Sequence, residues 1–313
     1  MTGTRGRGSV TVARLGSRPV LTATIGALTI AFSGILVRLA DVPPATAAVF
    51  RCAYALPVLA VLALAEQRRY GPRGGMQRSV ALLAGVFFAI DLVLWHHAIA
   101  FVGAGLATVL GNTQVVIVGV VAWLMLGERP SGRILVAVPM AMAGVVLISG
   151  IIGSGAYGDD PTLGVIFGVG TALAYAAFIV ILREGNRDLR RPAGPLFDAT
   201  LAAAVTSLAI GLPLGEIDLA VTWPAHAWLI ALALSSQVIG WLLISVSLPR
   251  LPAAVTSVVL TIQPVGSVAL AVVLLGESPS PLQLLGVLAI LVGLMLATMT
   301  GRRAQAVTRP QPA

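Results

Sequence analysis

The chain has 313 residues, 58% of them hydrophobic and only 10% charged, with a mean hydropathy of +0.97. Water-soluble domains are about half apolar and a quarter charged, so most of this chain faces something other than water and an ordinary cytosolic fold is excluded. The net charge of +8 comes from 20 basic residues, all arginine, set in short bursts between apolar runs rather than on one solvated face as a nucleic-acid binder requires.

A helix needs about 20 apolar residues to cross roughly 30 Å of hydrocarbon. Ten such runs follow along the chain, near 20–40, 44–65, 80–100, 104–126, 133–151, 162–182, 196–213, 226–247, 252–275 and 281–300. The first is too long for a cleavable signal sequence. With the N-terminus cytoplasmic, 18 of the 20 arginines fall on the cytoplasmic side, leaving Arg38 at an outer end and Arg51 inside the second run. Asp41, Asp159, Asp160, Glu216, Asp218 and Glu277 fall outside. Such one-sided arginine predicts a multi-pass protein of the cell membrane with both termini cytoplasmic.

Shifted by 149 residues, the sequence matches itself. Residues 103–149 against 252–298 share 14 of 47 positions without a gap, among them Gln114/Gln263, Leu126-Gly127-Glu128 against Leu275-Gly276-Glu277, Pro130-Ser131 against Pro279-Ser280, and Gly144/Gly293. Each half holds five runs, an odd number, so the two copies must lie in opposite orientations. The expected organisation is an Arg-rich tail (1–19), a first five-helix repeat (20–151), a linker (152–161), a second repeat (162–300) and a second tail (301–313). Inverted repeats about an in-plane axis are a device of secondary transporters, whose halves exchange conformations around a midplane site.

The same residues carry a family resemblance. Ten spans in a 5+5 arrangement, the Leu-Gly-Glu ending followed by Pro-Ser in both halves, and Arg51 within Ala-Ala-Val-Phe-Arg-Cys resemble the EamA-type members of the drug/metabolite transporter superfamily. A proline common in that family is kept at Pro264 and replaced by Val115 in the first copy. The resemblance implies an all-α membrane fold of two inverted five-helix repeats. It also implies efflux or exchange of small metabolites, amino acids or drug-like compounds, with no ATPase and no cofactor, and a central cavity surrounded by spans one, three, four, six, eight and nine.

Ionisable groups inside a bilayer are costly, so each is a candidate. Asp91 lies mid-way along the third run and shares a face with Trp95 at i, i+4, a placement suited to proton coupling or to recognition of a substrate amine. The competing role is a structural bond to a neighbouring helix or to Arg51. Gln237 and Trp241 repeat the polar-then-Trp spacing in the other half, and Asn112, Gln114 and Gln263 add amides for a polar solute, or for bonds between helices. Tyr175 joins them because the resemblance turns its helix to the cavity. Arg51, His96 and His97 are secondary candidates; the adjacent histidines point about 100° apart and lack metal-ligand spacing, so no metal is expected.

Other features read as structural. Trp223 and Trp228 fit an interfacial belt, Asp198 an interfacial position, and Gly164-x-x-x-Gly168 close helix packing. Glu128 and Glu277 are expected to accept bonds from the helix that follows each. Gly153-Ser154-Gly155-Ala156-Tyr157-Gly158 spells a dinucleotide fingerprint without the preceding strand, and reads as a hinge between the halves. The expected partners are a small-molecule substrate and the lipid bilayer, with no nucleic acid; a homodimer is compatible. The rival functions are an intramembrane enzyme, for which no nucleophile-and-base pair is found, and a non-transporting scaffold or channel.

Overall fold

The computed structural model describes residues 18–117, 120, 132–185, 188, 190–247, 251 and 253–298. Helical backbone lies on each apolar run, and no strand occurs among the described residues. In chain order the helices are α1 (Pro19–Ala40), α2 (Pro44–Tyr70), α3 (Gly75–Val102), α4 (Ala104–Ile117), α5 (Gly132–Ile148), α6 (Pro161–Gly185), α7 (Ala193–Leu214), α8 (Ala225–Ser247), α9 (Ala253–Leu275) and α10 (Pro281–Thr298). Six of them (α1, α2, α3, α6, α7 and α8) contain stretches long and apolar enough to cross a membrane, and the rest include shorter apolar helices. Proline opens α1, α2, α6 and α10, where its fixed φ suits the first helical turn and its missing N–H costs no bond. Arg68 and Arg69 extend α2 beyond its apolar run, into the last turn, where cations meet the negative end of the helix dipole.

The bundle is built inside-out relative to a soluble protein. Its interior is rich in alanine, with Ala45, Ala48, Ala84, Ala89, Ala104 and Ala107 fully buried, while Val61, Leu64, Val205, Leu212, Val273 and Leu288 are exposed on the outside. Lipid removes the hydrophobic drive between helices, so association depends on close approach of backbones over small residues. A Cβ on Gly85 of α3 would lie 2.2 Å from the Ala199 carbonyl of α7. Gly144 of α5 and Gly286 of α10 each face the other's carbonyl, at 2.6 and 2.7 Å from an added Cβ. Gly164 and Gly168 seat α6 against Val102 and Leu110, as their spacing predicts. Gly85→Ala is therefore expected to force α3 and α7 apart and cost about 1–3 kcal/mol, read as a lowered melting temperature of the detergent-solubilised protein.

The packing pairs α2 with α7, α4 with α9, α5 with α10, α3 with α6 and α7, and α8 with α1 and α2; α9 also meets α1, and α4 meets α6. Replacing every helix by the one five further along, or five back, leaves this set unchanged.

Carboxylates tie the helix ends together, each across the two halves. Glu66, near the end of α2, accepts the Ala193 and Gly194 amides at the start of α7 at 2.9 and 2.8 Å. In return Glu216, just past α7, accepts the Ala45 amide at the start of α2 at 3.3 Å. Glu277, just past α9, accepts the Ala104 and Gly105 amides at the start of α4 at 2.6 and 3.2 Å. The expectation that Glu277 serves the helix after it is thus corrected: the unpaired amides it meets belong to the opposite half. Gly103 makes room, because its φ of +88° and the 2.8 Å from an added Cβ to the Glu277 carboxyl both exclude a side chain. Glu128 lies outside the described residues.

Burial raises the Glu277 carboxyl above its usual range, against the opposing pull of the two amides and of Arg38. A folded-state value above the unfolded one means that the folded protein gains stability as pH falls through that value. Glu277→Ala removes both acceptors and is expected to cost about 2 kcal/mol. Glu277→Gln keeps one acceptor and abolishes this part of the pH dependence; thermal melts from about pH 4, the ordinary carboxyl value, upward check both.

Asp198, one turn inside α7 against the start of α3, is 1% exposed and paired with Arg73, with Arg78 at 3.7 Å. One further expectation changes. The 152–161 linker is not a free hinge. Tyr157 donates its amide to Gln283 Oε1 at 2.8 Å, and Gln283 Nε2 donates back to the Tyr157 and Ile148 carbonyls at 3.0 and 3.2 Å.

Candidate functional site: a polar cavity among the helices

The third helix sets the site. Phe88, Asp91, Leu92 and Trp95 recur at the spacing of one helical face and line a cavity of about 50 Å³. Arg51 enters from α2, Thr108 and Asn112 from α4, Thr171 and Tyr175 from α6, Ser33 from α1, Trp241 from α8 and Gln263 from α9. The spacing of Thr171 and Tyr175 explains why both face inward, one helical turn apart.

Arg51 is 4% exposed and held from behind. Its Nε donates to Gln237 Oε1 at 3.1 Å and its Nη2 to Ser236 Oγ at 3.3 Å. Gln237 Nε2 in turn donates to Thr200 Oγ1 of α7 at 3.0 Å. Ser236 and Gln237 lie in a π-helical segment of α8, Ala233–Gly240. An i→i+5 turn shifts the helical register, and here it brings two consecutive polar side chains to the same guanidinium. The cation also lies 5.8 Å from the Trp95 ring centroid, within range of a cation–π contact. Arg51 thus makes no direct ion pair with Asp91.

Asp91 is 6% exposed and lines the same cavity. Its carboxyl makes no hydrogen bond and no ion pair among the described residues, whereas the bonding capacity of Arg51 is partly used. The site therefore presents a fixed cation, an uncommitted carboxyl and two amides within one small space. Aromatic rings close one side: Phe88 stacks on Phe178 with centroids 4.5 Å apart, Trp241 meets Phe178 edge-on at 5.4 Å, and Tyr175 meets Trp241 edge-on at 6.2 Å.

Of the residues singled out in the sequence, Asp91, Trp95, Asn112, Tyr175, Trp241, Gln263 and Arg51 come together at this cavity. Gln237 is completely buried behind Arg51. Gln114 does not line it. Two residues on from Asn112, it lies on a different side of the helix, although its repeat counterpart Gln263 is in the lining. The histidines serve the helix ends instead. His96 Nδ1 lies 3.0 Å from the Pro44 carbonyl; His97 Nε2 lies 3.2 Å from Glu216 and its ring stacks on Phe167. The sequence reading missed Ser33, Thr108, Thr171 and Ser236, small hydroxyls that pass for packing residues in an apolar helix; adjacency to Gln237 and the one-turn step to Tyr175 were the available signals.

A polar cavity among apolar helices whose outer faces match lipid defines a multi-pass membrane protein with an internal polar site. The profile of the EamA-like transporter family matches residues 17–150 and again 162–299, and the chain belongs to that family, a group of transporters within the drug/metabolite superfamily. A comparison with curated proteins finds no match. A solved structure described as "Crystal structure of protein" superposes with a TM-score of 0.61 at 18% identity, covering 92% of this chain and 99% of that one. At that identity the likeness speaks for the fold alone.

Proposed function

We propose that the chain is a secondary transporter that exports or exchanges small polar metabolites, amino acids or related zwitterions, by alternating access around the Arg51–Asp91 cavity. The observation that carries this reading is the pairing of a held guanidinium with an uncommitted carboxyl in one cavity, flanked by Asn112 and Gln263. A zwitterion presents a carboxylate to Arg51 and an ammonium to Asp91, and each charge then has a partner in a low-dielectric site. At about 50 Å³ the cavity holds only a few waters, so a solute is admitted only when the helices separate. Proton coupling through Asp91 is part of the proposal, since a carboxyl left without a solute must be neutralised as the cavity closes.

The topology belongs to the same proposal: ten crossings in the cell membrane, two inverted repeats of five, both termini cytoplasmic, and no enzymatic activity. The helix pairs named above, a set that exchange of the halves leaves unchanged, support it, as do the reciprocal caps of Glu66 on α7 and Glu216 on α2, which require the two helices to run in opposite directions. A metabolite-wide comparison of the medium of expressing and empty-vector cells tests the substrate class. Selective accumulation of zwitterions outside the expressing cells is expected; no difference across the panel would sink the proposal.

A further inference from the structure

A second cavity, of about 260 Å³, opens on the Arg-rich face between the end of α2 and the start of α7. Its polar wall is made by Glu66, Gln67, Arg73, Arg78, Arg191 and Asp198. The two carboxylates are committed, Glu66 to the α7 amides and Asp198 to Arg73. The guanidinium groups are only partly committed. Arg73 donates through Nη2 to the Gly194 carbonyl at 2.9 Å and to Asp198, but its Nη1 is buried with no hydrogen-bond partner among the described residues. Arg191 donates to the Gly71 and Tyr70 carbonyls. Its buried Nε lies 3.2 Å from Asp188 without hydrogen-bond geometry. Arg78 remains largely exposed at the rim, its side chain 59% accessible.

The cavity does not end in water on every side. Leu64 belongs both to its wall and to a shallow groove formed with Val61, Ala65, Arg68 and Arg69 on the outer face of α2. Val61 and Leu64 are exposed, two turns and one turn below the two arginines, respectively. A soluble anion would use the guanidinium groups and leave this apolar strip unused; an amphiphile uses both.

We propose that this cavity binds the phosphodiester headgroup of an anionic phospholipid, with Arg73, Arg78 and Arg191 around the phosphate and an acyl chain along Val61 and Leu64. The bound headgroup supplies acceptors to Arg73 Nη1 and to the exposed Arg78 guanidinium and bridges α2 to α7 at the end where Glu66 already joins them. Basic pockets between helices at a membrane face are suited to such lipids. The inference depends on the membrane location and not on the transport proposal, and its test reads no transport.

The full-length protein, delipidated in a neutral detergent, is titrated with phosphatidylglycerol, phosphatidylcholine or inorganic phosphate, and binding is followed by native mass spectrometry and thermal melting. Phosphatidylglycerol is expected to bind and raise the Tm, while the other two do not. Arg78→Gln and Arg68→Gln, both at exposed positions, each weaken that binding about fivefold in proteins that still melt cooperatively. Arg133→Gln, an exposed arginine on α5 away from the cavity, leaves it unchanged. Equal stabilisation by phosphatidylcholine would overturn the proposal, as would full stabilisation by inorganic phosphate alone, which would make it a soluble-anion site. So would an equal loss in the Arg133 variant, which would reduce the effect to diffuse surface charge, or undiminished binding in the Arg78 variant.

Discussion

Asp91→Asn is expected to abolish the pH dependence of transport and to lower its rate at least about tenfold, a loss of the size that removing one charged partner produces, while membrane insertion and yield stay at the wild-type level. The cause is the carboxyl's position: it is buried, faces the cavity, and has no hydrogen bond or ion pair that the substitution would break. Asn is close to isosteric, so the fold tolerates it, but it neither takes up a proton nor offers a negative charge to a substrate amine. Uptake in vesicles at a series of pH values, with protein quantified in each, separates the two roles. An unchanged rate and pH profile would make Asp91 structural; a flat profile with normal protein assigns it to the coupling step.

Arg51→Lys is expected to raise the apparent KM about tenfold or more while the protein still folds. Lysine keeps the charge, but its point-like ammonium does not reproduce the planar fork that meets Gln237 and Ser236 from one side and the cavity from the other. Arg51→Ala adds a second defect, since it strands Gln237 Oε1 and Ser236 Oγ in a completely buried place. The Ala variant is accordingly expected to lose about 1–3 kcal/mol of stability as well, seen as a lowered melting temperature that the Lys variant does not share. Gln237→Leu tests the support directly: it leaves the guanidinium charge in place but removes one of the two bonds that aim it.

The helices among the described residues were legible because a bilayer fixes the length of an apolar run, and residues that interrupt one, such as Asp41 or Gly71, stand out. Asp91 was legible because a carboxyl within an apolar run is costly in lipid unless something uses it, and Trp95 through its i, i+4 spacing from Asp91. What stayed hidden depended on partners remote in sequence. Nothing near Glu277 indicates that its acceptors meet Ala104, 173 residues earlier. Glu66, standing among arginines at the end of α2, looks like an ordinary surface acid until α7 brings its amides to it. The π-helical turn that aims Ser236 and Gln237 at Arg51 leaves no composition signal either, since Ala-Leu-Ser-Ser-Gln-Val-Ile-Gly fits an ordinary apolar helix. Sequence symmetry placed Gln114 beside Gln263, but the repeat does not preserve which residue of each helix faces the cavity: Asn112 lines it on α4 and Gln263 on α9.

Counterflow in reconstituted vesicles is the most direct test of alternating access at this cavity. Vesicles preloaded with an unlabelled zwitterionic solute should take up the labelled form faster than empty ones, with saturation, and the stimulation should be lost in Asp91→Asn and weakened in Arg51→Lys. Flux that neither saturates nor responds to internal solute, or trans-stimulation that survives undiminished in both variants, would contradict the account.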